Sequence, residues 1–423
     1  MNLLLLGSGG REHALAWTLC SSPLLNKLYC APGNAGIESI ASCVNISLNN
    51  FSEIIAFCRE KAIEFVVVGS EIPLVAGIVD ELMAVGITVF GPSRAAAQLE
   101  GSKGFAKDFC REFGIPTADY ARFSELDEAI NYVQRQKPPI VIKADGLAAG
   151  KGVEIAQTIS EAVQSVRACF AGAFGTAGYE VVIEEFLIGQ EASFFALVDG
   201  SHAIPLGTAQ DYKRLSDGNT GPNTGGMGAF SPALVLTEKL NTKVMESIIV
   251  PTIRGMAARR MPYTGVLYAG LMITEKGPQL IEYNVRFGDP ECQVLMFRLE
   301  TDLLPALLAT CNGSLNRLKL LWKNDSALTI VMAAEGYPHS PQRNTEIKGL
   351  DGINETDAIV FHAGTVRKKN RILANSGRVL NITARGRNLK DAQKKAYDVA
   401  RRIDWPESFY RDDIGGRSIE SES

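Results

Sequence analysis

The sequence predicts a multidomain α/β protein, with a doubly wound parallel sheet at the N-terminus and a small α+β domain at the C-terminus. Three observations lead to this prediction. The 423 residues are too many for one ordinary hydrophobic core. Residues 1 to about 100 alternate apolar strands with helices. The composition then changes near Leu321, after which a second group of strands begins.

The composition limits the classes of function. A net charge of −4 and an isoelectric point near 5.8 give no reason to expect nucleic acid or an anionic membrane as a partner. No segment approaches the length of a membrane span, and the apolar run in MNLLLLGSGG is too short for a signal peptide. The eight cysteines form no CxxC pair and the four histidines are dispersed. We therefore expect reduced thiols, a cytoplasmic protein and no zinc site.

The N-terminal part has the alternation that is typical of a parallel sheet. We expect strands at residues 3–6, 27–30, 65–68 and 88–90, and helices at residues 14–20, 51–61 and 73–85. Ligands of such sheets bind where the strands end. Three polar turns that contain glycine fall at these ends, at residues 7–13, 31–36 and 69–71.

The first turn, GSGGREH, favours an anion over a dinucleotide. A G-x-G-x-x-G fingerprint that began at Gly7 would need glycine where Glu12 stands, and the second strand ends without an acidic residue for a ribose. Backbone N–H groups at a helix start still favour a negative charge. We expect a single phosphate of a small molecule here, and the alternative is a tight turn without a ligand.

Residues 101–191 carry features that suit a nucleotide. Lys103 and Lys107 share a helical face, either as phosphate ligands or as a solvated pair. The segment KADGLAAGKGV, residues 143–153, is predicted as a glycine-rich hairpin. It joins the strand at residues 140–144 to the strand that follows it. It can close over phosphates, although it is not a Walker loop and could be a plain mobile hairpin. The strand at 180–183 ends in EEFL, which can flank an adenine, and Glu191 could meet ribose hydroxyls.

A long glycine-rich segment follows a hairpin at residues 193–205. It runs from Ala209 to Gly228, and a loop of this length in a compact enzyme is usually functional or disordered. Low charge and flanking strands favour function, and we expect Asp211, Lys213 and Arg214 to line a polar cleft. A helix at residues 237–259 and a strand at residues 265–273 come next.

The segment IEYNVRFGDPECQ predicts a site for a metal and a phosphate. Glu282 and Asn284 lie two apart on a predicted strand and so share a face, and their oxygens suit a hard cation such as Mg²⁺. Arg286 adds a planar fork for phosphate or carboxylate. Asp289 and Pro290 fit the N-cap and the first position of a helix at residues 292–311. The alternatives are a structural Glu282–Arg286 ion pair and a purely capping Asp289.

The collected motifs resemble one family. In chain order they are GSGGREHA, APGNAG, SKGFAK, KADGLAAGKGV, EEFLIGQEAS, AQDYKR, GPNTGGMGAFSP, GVLYAGLM, EYNVRFGDPECQ, HAGT and GRVLNITA. Together they resemble the glycinamide ribonucleotide synthetases, or phosphoribosylamine–glycine ligases, which are ATP-grasp enzymes of purine synthesis. The resemblance extends from Met1 to about Arg417.

The resemblance implies an architecture and a reaction. It implies a Rossmann-like domain over residues 1–101, an ATP-grasp core over 102–325 with a mobile lid at about 123–188, and a C-terminal domain over 326–423. The implied reaction joins glycine to 5-phosphoribosylamine through glycyl phosphate, with ATP as co-substrate and Mg²⁺ or Mn²⁺ as the metal. The implied protein is a cytoplasmic monomer that can contact other enzymes of the pathway transiently.

The resemblance also implies roles for individual residues. Glu282 and Asn284 would hold the metal. Arg286, Asp289, Asp211 and Lys213 would face glycine and the acyl phosphate. Contacts to ATP would come from Lys103, Lys143, Gly150, Lys151, Gly152, Glu184, Glu185, Phe186, Leu187 and Glu191. Phosphoribosylamine would meet Gly9, Gly10, Arg11, Pro32, Gly33 and Asn34.

The sequence departs from the family pattern at two positions, and it leaves three alternative functions open. The family commonly has histidine where Tyr212 stands and tyrosine where Phe230 stands, and neither position has an assigned role. The alternatives are an ATP-grasp ligase or carboxylase that uses another acid, a descendant that only binds nucleotide, and an NAD-linked oxidoreductase. The intact metal pair argues against the second, and the broken fingerprint argues against the third.

Overall fold

The computed structural model describes residues 1–147, 152–173, 180–350, 353 and 356–422. Within these ranges the chain forms a five-stranded, a four-stranded and a nine-stranded sheet, with two smaller sheets beside them. No helix of the described part is long and apolar enough to cross a membrane.

The N-terminal sheet is parallel, as predicted. Its five strands are β1 (Asn2–Gly7), β2 (Lys27–Pro32), β3 (Ser42–Cys43), β4 (Phe65–Val68) and β5 (Thr88–Phe90), and they lie in the order β3-β2-β1-β4-β5. The flanking helices are α1 (Gly10–Leu19), α2 (Phe51–Glu60), α3 (Glu71–Ala76), α4 (Ile78–Ala84) and α5 (Gln98–Gly101). The chain reverses its direction of winding beside β1, so the first turn opens at a switch point of the sheet.

Strand β1 is apolar throughout because both of its faces are covered. Leu4 and Leu6 belong to one hydrophobic core, whereas Leu3 and Leu5 belong to another. Helix α1 shares the second core with the helix that follows the metal strand, the strand that carries the predicted metal ligands Glu282 and Asn284. This packing brings the first turn close to that helix. The helix predicted at residues 73–85 is wrong as a single element, since Gly77 adopts a φ of +95° and separates α3 from α4.

A four-stranded antiparallel sheet occupies the place of the predicted lid. Helix α6 (Lys103–Phe113) leads into it. Its strands are β6 (Tyr120–Phe123), β7 (Ile140–Ala144), β8 (Val153–Ala156) and β9 (Val181–Glu185), in the order β6-β9-β7-β8, and α7 (Leu126–Val133) and α8 (Ile159–Phe170) cover one face. The movement of this unit stays a prediction.

The nine-stranded sheet carries the metal strand. Its first members are β10 (Gln190–Asp199), β11 (Ala203–Asp211), β14 (Gly228–Ser231), β15 (Thr264–Thr274) and β16 (Gly277–Asn284). Between β11 and β14, β12 (Arg214–Ser216) pairs with β13 (Thr220–Asn223). The predicted helix at residues 237–259 forms as α9 (Glu238–Val244), a π-helical turn at Met245–Ile249 and α10 (Val250–Ala258).

The same sheet continues into the C-terminal part, because β14 pairs with β17 (Ser326–Ala334). Beyond β17 lie β22 (Arg378–Gly386) and β19 (Ala358–His362), and α13 (Leu389–Ala400) covers them. The ninth strand of the sheet is β23 (Ser408–Phe409), which pairs with β17. The remaining strands and α-helix, several of which the sequence did not indicate, are β18 (Glu346–Ile347), β20 (Thr365–Lys368), β21 (Arg371–Ala374) and α14 (Gly416–Glu422).

The helix predicted at residues 292–311 is wrong as a single helix. It forms α11 (Glu291–Arg298) and α12 (Leu303–Cys311), because the chain is extended at Leu299 and Asp302 begins a new helix by accepting a hydrogen bond from Leu304 N–H. The first of these helices, α11, packs against α1.

Candidate active site

A cleft of about 1040 Å³ lies between the N-terminal sheet, the four-stranded unit and the large sheet. Most of the predicted site residues line it, and they come from segments that are far apart in the chain. The predicted site residues that line the cleft are Arg11, Lys103, Lys143, Gly152, Glu184, Glu185, Phe186, Leu187, Glu191, Asp211, Lys213, Glu282, Asn284, Arg286 and Asp289. Gly150 and Lys151 lie outside the described residues.

Glu282 and Asn284 lie on β16 and both line the cleft. Gly270 of β15 stands opposite Glu282, and a Cβ at that glycine would lie 3.3 Å from the Glu282 Cγ. Burial disfavours ionisation of Glu282, but Lys213, Lys143 and Lys103 outweigh it, so its pKa is below the usual value. A carboxylate whose ionised form is favoured, beside an amide oxygen, fits a hard divalent cation with open positions for phosphate.

The described residues contain no group of three or more His, Cys, Asp or Glu side chains that could hold a metal. A metal site in the cleft would therefore depend on few protein ligands. That is the pattern by which Mg²⁺ is held between one or two protein oxygens and the phosphates of a nucleotide.

Arg286 is fixed by two carboxylates, one from the predicted turn at residues 69–71 and one from Glu100, which the sequence did not indicate. Its guanidinium lies 2.8 Å from Glu100 and 3.2 Å from Glu71. Burial opposes the charge, but these two carboxylates outweigh it and raise the pKa of Arg286. The alternative of a Glu282–Arg286 ion pair is therefore wrong, since Arg286 pairs with Glu71 and Glu100 instead.

Three buried side chains form a charged centre below the cleft. The Glu184 carboxylate lies 2.8 Å from Lys107 Nζ and 2.9 Å from Lys143 Nζ. Lys143 also donates to the Ile281 carbonyl at 3.1 Å, which ties the four-stranded unit to the metal strand. Lys107 is only 4% exposed, so the alternative of a solvated lysine pair is wrong. Lys103 differs from it and donates to Gly146 O at 2.8 Å.

The predicted adenine segment follows this centre. The backbone N–H of Glu185 donates to Asp119 O at 3.0 Å, and its carboxylate accepts from Asp119 N–H at 3.2 Å. Phe186 and Leu187 come directly after β9 and line the cleft together with apolar side chains of the sheets, among them Val141, Ile155 and Met272. The segment therefore lies among apolar side chains in the cleft, which suits the faces of a flat base.

Asp211 is the last residue of β11 and Lys213 follows it, and both line the cleft. Lys213 Nζ is 3.2 Å from Glu191, so Glu191 has a lysine as its neighbour. Burial, together with the nearby charges of Glu291 and Glu191, raises the pKa of Asp211 to about 7 against the attraction of Lys213. Asp211 can therefore hold or release a proton near neutral pH.

Asp289 does not cap its own helix. Pro290 occupies the N-cap position of α11, so the predicted N-cap is wrong by one residue. Instead, Asp289 accepts a long hydrogen bond of 3.5 Å from Arg11 N–H, at the start of α1. A Cβ on Gly9 would lie 2.8 Å from the same Asp289 oxygen, so glycine is what allows this approach. Burial opposes ionisation of Asp289, yet Arg378 and Arg11 lower its pKa.

The other residues predicted for phosphoribosylamine hold the first turn together. Asn34 Nδ2 donates to Ser8 O and to His362 O, both at 2.8 Å, and Asn34 Oδ1 accepts from Gly36 N–H and Ile37 N–H. Of the residues predicted to meet phosphoribosylamine, Arg11 lines the cleft. The others do not, and they are Gly9, Gly10, Pro32, Gly33 and Asn34. Their contact with a substrate stays a prediction.

Sequence reasoning missed several residues of the cleft. Glu100 lies two residues before the SKGFAK segment and could have been found from its position. Glu71 stands in the predicted turn at residues 69–71, at the end of a strand of the parallel sheet, but it had no predicted role. Glu291 accepts from the Tyr268 hydroxyl at 2.7 Å. Arg378 donates to Asp289 O at 2.7 Å from a strand almost 90 residues further along the chain, and no local pattern indicates it.

Comparisons with known proteins agree along the whole chain. The family models for phosphoribosylglycinamide synthetase match residues 1–100 (N domain), 101–292 (ATP-grasp domain) and 327–417 (C domain). A phosphoribosylamine–glycine ligase of Brucella melitensis is 57% identical over 423 residues, which is 100% of this chain and 99% of the relative. The chloroplastic enzyme of Arabidopsis thaliana is 53% identical over 97% of this chain and 79% of its own length.

Solved structures give the same picture. The crystal structure of a phosphoribosylamine–glycine ligase from Thermotoga maritima has a TM-score of 0.85 at 33% identity, over 98% of this chain and 100% of that one. A biotin carboxylase domain from Hydrogenobacter thermophilus, solved with MgADP, has a TM-score of 0.76 at 17% identity, over 97% of this chain and 91% of that one. At this identity the second likeness shows a shared fold only.

Proposed function

The chain belongs to the phosphoribosylglycinamide synthetase family, and we propose how its own residues divide the work of the reaction. That reaction is the ATP-dependent ligation of glycine to 5-phosphoribosylamine in purine synthesis, which gives glycinamide ribonucleotide, ADP and phosphate. The observation that carries the proposal is the single cleft that joins Glu282 and Asn284 to Lys143, Arg286 and Lys213.

The chemistry requires activation of a carboxylate, because oxide is a poor leaving group. An oxygen of glycine attacks the γ-phosphorus of ATP, ADP leaves, and glycyl phosphate forms. The amine of phosphoribosylamine then attacks the carbonyl carbon, the C–O bond to phosphate breaks, and the amide forms with loss of one proton. Positioning and charge neutralisation supply the rate, so no protein nucleophile is needed.

The phosphate end of the cleft belongs to the lysines and the metal pair. Lys103 and Lys143 neutralise the triphosphate, with Lys143 held by Glu184. Glu282 and Asn284 would hold Mg²⁺ or Mn²⁺, and a divalent cation at this place would supply positive charge to stabilise the phosphates. The backbone from Glu184 to Leu187 borders the base, and Glu191 meets the ribose.

A second group of residues binds the glycine and the acyl phosphate, at what we call the acyl end of the cleft. Arg286, aimed by Glu71 and Glu100, and Lys213 face the glycine carboxylate and the acyl phosphate. Asp211 accepts the proton that the amine loses, which its pKa of about 7 permits. Asp289 and the turn at Gly9–Arg11 face phosphoribosylamine.

The remaining assignments follow from the resemblance to the family. We take residues 1–101, 102–325 and 326–423 as the domains, with a lid at about 123–188 that closes over the acyl phosphate and keeps water from it. We also take the protein to be a cytoplasmic monomer that meets other enzymes of purine synthesis transiently.

An oxygen-transfer experiment tests this route. Glycine labelled with ¹⁸O at both carboxylate oxygens is supplied with Mg²⁺, ATP and phosphoribosylamine. The released phosphate is then analysed by mass spectrometry. The proposal requires one ¹⁸O atom in each phosphate, because the carboxylate oxygen that attacks the γ-phosphorus leaves with it. Phosphate without label would exclude glycyl phosphate as the intermediate.

A further inference from the structure

The glycine-rich loop, residues 212–227, joins β11 to β14 and carries Lys213 into the cleft. Within the loop, β12 and β13 form a two-stranded sheet of their own, separate from the large sheet. Its position therefore depends on what contacts it from outside. The described contacts come largely from residues near the C-terminal end of the chain.

Arg411 holds the two residues that flank Lys213. Its side chain is buried, with Nη1 donating to the Arg214 carbonyl at 2.9 Å. Its guanidinium carbon lies 4.8 Å from the centre of the Tyr212 ring, within the range of a cation–π contact. The Tyr212 hydroxyl in turn accepts from Gly415 N–H at 2.8 Å. One C-terminal segment, residues 411–417, thus holds the chain on both sides of Lys213, through the side chain of Tyr212 and the carbonyl of Arg214.

Asp413 links Arg411 to the middle of the loop. Its two oxygens accept from Arg411 Nε and Nη2, each at 2.7 Å, in a bidentate pair. The same carboxylate accepts from Gly218 N–H at 2.9 Å. Arg417 adds a hydrogen bond of 3.0 Å to Gly218 O. Removal of the Asp413 charge would loosen Arg411 and the loop together.

The far end of the loop is held by other C-terminal residues. Arg378 donates to Gly225 O at 2.5 Å and to Gly226 O at 3.2 Å. The Tyr337 hydroxyl accepts from Gly225 N–H at 3.1 Å. Arg378 also contacts Asp289, so this end keeps a fixed relation to the acyl end of the cleft.

The ATP end of the cleft is held by different contacts. Lys107 and Lys143 are paired with Glu184, and Lys143 contacts the metal strand. The two ends are linked through Lys213, whose Nζ lies 3.2 Å from Glu191. A change in the C-terminal segment should therefore affect the acyl end more strongly than nucleotide binding.

We propose that Arg411 and Asp413 are positioning residues for the ligation reaction, which act by fixing Tyr212 and Arg214 and so direct Lys213 toward the acyl group. Neither residue needs to touch a substrate. The inference rests on the proposed function, because the role of Lys213 comes from there. A displacement of about 1 Å at such a group can reduce turnover by up to about 100-fold.

The test compares Asp413→Asn with Asp398→Asn, a matched control at an exposed aspartate of α13 that pairs with Lys394 and Arg401. We expect Asp413→Asn to lower kcat/KM for glycine about tenfold or more, with the Kd for ATP changed less than twofold. Asp413→Glu, which keeps a carboxylate for Arg411, should recover part of the loss. The control should match the parent in every assay.

Hydrogen exchange of the amides in residues 212–226 provides a readout that does not depend on the reaction. Asp413→Asn should exchange faster there than the parent, at unchanged rates in the N-terminal sheet. Hydrogen exchange of the loop at the parent's rate would overturn the inference. So would a change in the Kd for ATP as large as the change in kcat/KM for glycine. If the parent itself makes no glycinamide ribonucleotide, the proposed function fails, and the exchange result still decides whether Asp413 holds the loop.

A second variant covers the case in which Asp413→Asn does not fold. Arg417→Ala removes the exposed contact to Gly218 O and leaves the buried Arg411 in place. We expect a smaller loss of the same kind, in kcat/KM for glycine and in loop protection. Parent-like values in both measurements would contradict the inference.

Discussion

At the residue scale, the charge of Glu282 has two effects in the cleft. In the proposed function it is a metal ligand, and it balances Lys213, Lys143 and Lys103, whose fields lower its pKa. A neutral amide at this position would keep the shape and lose both effects.

Glu282→Gln is therefore expected to reduce kcat by at least about 100-fold, because removal of a single charge-stabilising group commonly costs that much. The fold should be retained, since Glu282 lines the cleft. The assay is ADP release with Mg²⁺, together with a thermal melt. Glu275→Gln, at an exposed turn of the same hairpin, is the matched control. Parent-like turnover in Glu282→Gln would remove the metal assignment.

Asp211 gives a prediction about pH. Its folded-state pKa of about 7 exceeds the ordinary value of 3.8, so the folded state binds more protons between these values. Stability from this group is present at low pH and is lost as the pH rises through about 7. Asp211→Asn should therefore gain stability relative to the parent at pH 8 and gain less at pH 5, as measured by chemical denaturation.

The activity of the same variant supplies a second check. It should be low at every pH, because the amide cannot accept the proton of the attacking amine. Asp127→Asn, an exposed position in the first turn of α7, is the control. An Asp211→Asn enzyme with the parent's pH profile would contradict the role in proton transfer.

The sequence identified most residues of the cleft but not their partners. Glu282, Asn284 and Arg286 could be predicted because a strand places alternate residues on one face. The pairs of Arg286 with Glu71 and Glu100 could not, since they join residues that are far apart in the chain. The N-cap role predicted for Asp289 was wrong by one residue for the same reason. Its carboxylate accepts from Arg11 N–H at the start of α1, which is far away in the chain.

At the element scale, the start of helix α6 is joined to the end of β7. Asp145 accepts from the Ser102 hydroxyl at 2.9 Å and from Gly104 N–H at 3.0 Å. Ser102 is itself the N-cap of α6 and accepts from Phe105 N–H. The glycine-rich hairpin that follows β7 is thereby attached to the helix that carries Lys103.

Asp145→Ala should weaken this attachment. We expect a loss of about 1–2 kcal/mol in the free energy of unfolding, typical of a lost capping contact, and a several-fold higher KM for ATP with little change in KM for glycine. Asp127→Ala, which removes an exposed aspartate from α7, is the control. A higher KM for glycine alone would be the wrong pattern.

Elements were predicted well where the pattern was local. The strands at Phe65–Val68, Thr88–Phe90 and Ile140–Ala144 have the predicted bounds. Two long helices were each predicted as one because their apolar residues continue across the breaks. At Gly77 the left-handed backbone interrupts the first, and at Asp302 a side-chain cap begins a new helix.

At the scale of the whole molecule, the N-terminal and C-terminal parts meet at a pair of histidines. His13 of α1 accepts through Nδ1 from His362 N–H at 2.7 Å. Burial lowers the pKa of His13 to about 3, with a further contribution from His362. The pKa of His362 is lowered to about 4 by burial and by Arg367.

Acid should therefore weaken this contact. The unfolded state binds more protons below pH 6.5, so stability is present above that value and is lost as the pH falls toward about 3, with a slope of up to about 1.4 kcal/mol per pH unit for each histidine. His13→Gln, which keeps an acceptor, should reduce this slope in denaturation at pH 4–7. The exposed His339→Gln is the control and should keep the parent's slope.

The large sheet crosses the predicted domain boundary at residue 325. Strand β14 pairs with β17, so the C-terminal strands extend the sheet that carries the metal pair. Sequence could indicate a change of composition there but not the pairing, which depends on residues about 100 positions apart. This continuity explains how Arg378, on β22, reaches the acyl end of the cleft.

The most direct test of the whole account is ADP release with Mg²⁺ when glycine or phosphoribosylamine is omitted in turn. The amine is generated in the assay because it is labile. We predict that ADP forms at the full rate only with both substrates and that glycinamide ribonucleotide accumulates in equal amount. ADP formation that ignores glycine, or a faster reaction with another amino acid, would contradict the central claim.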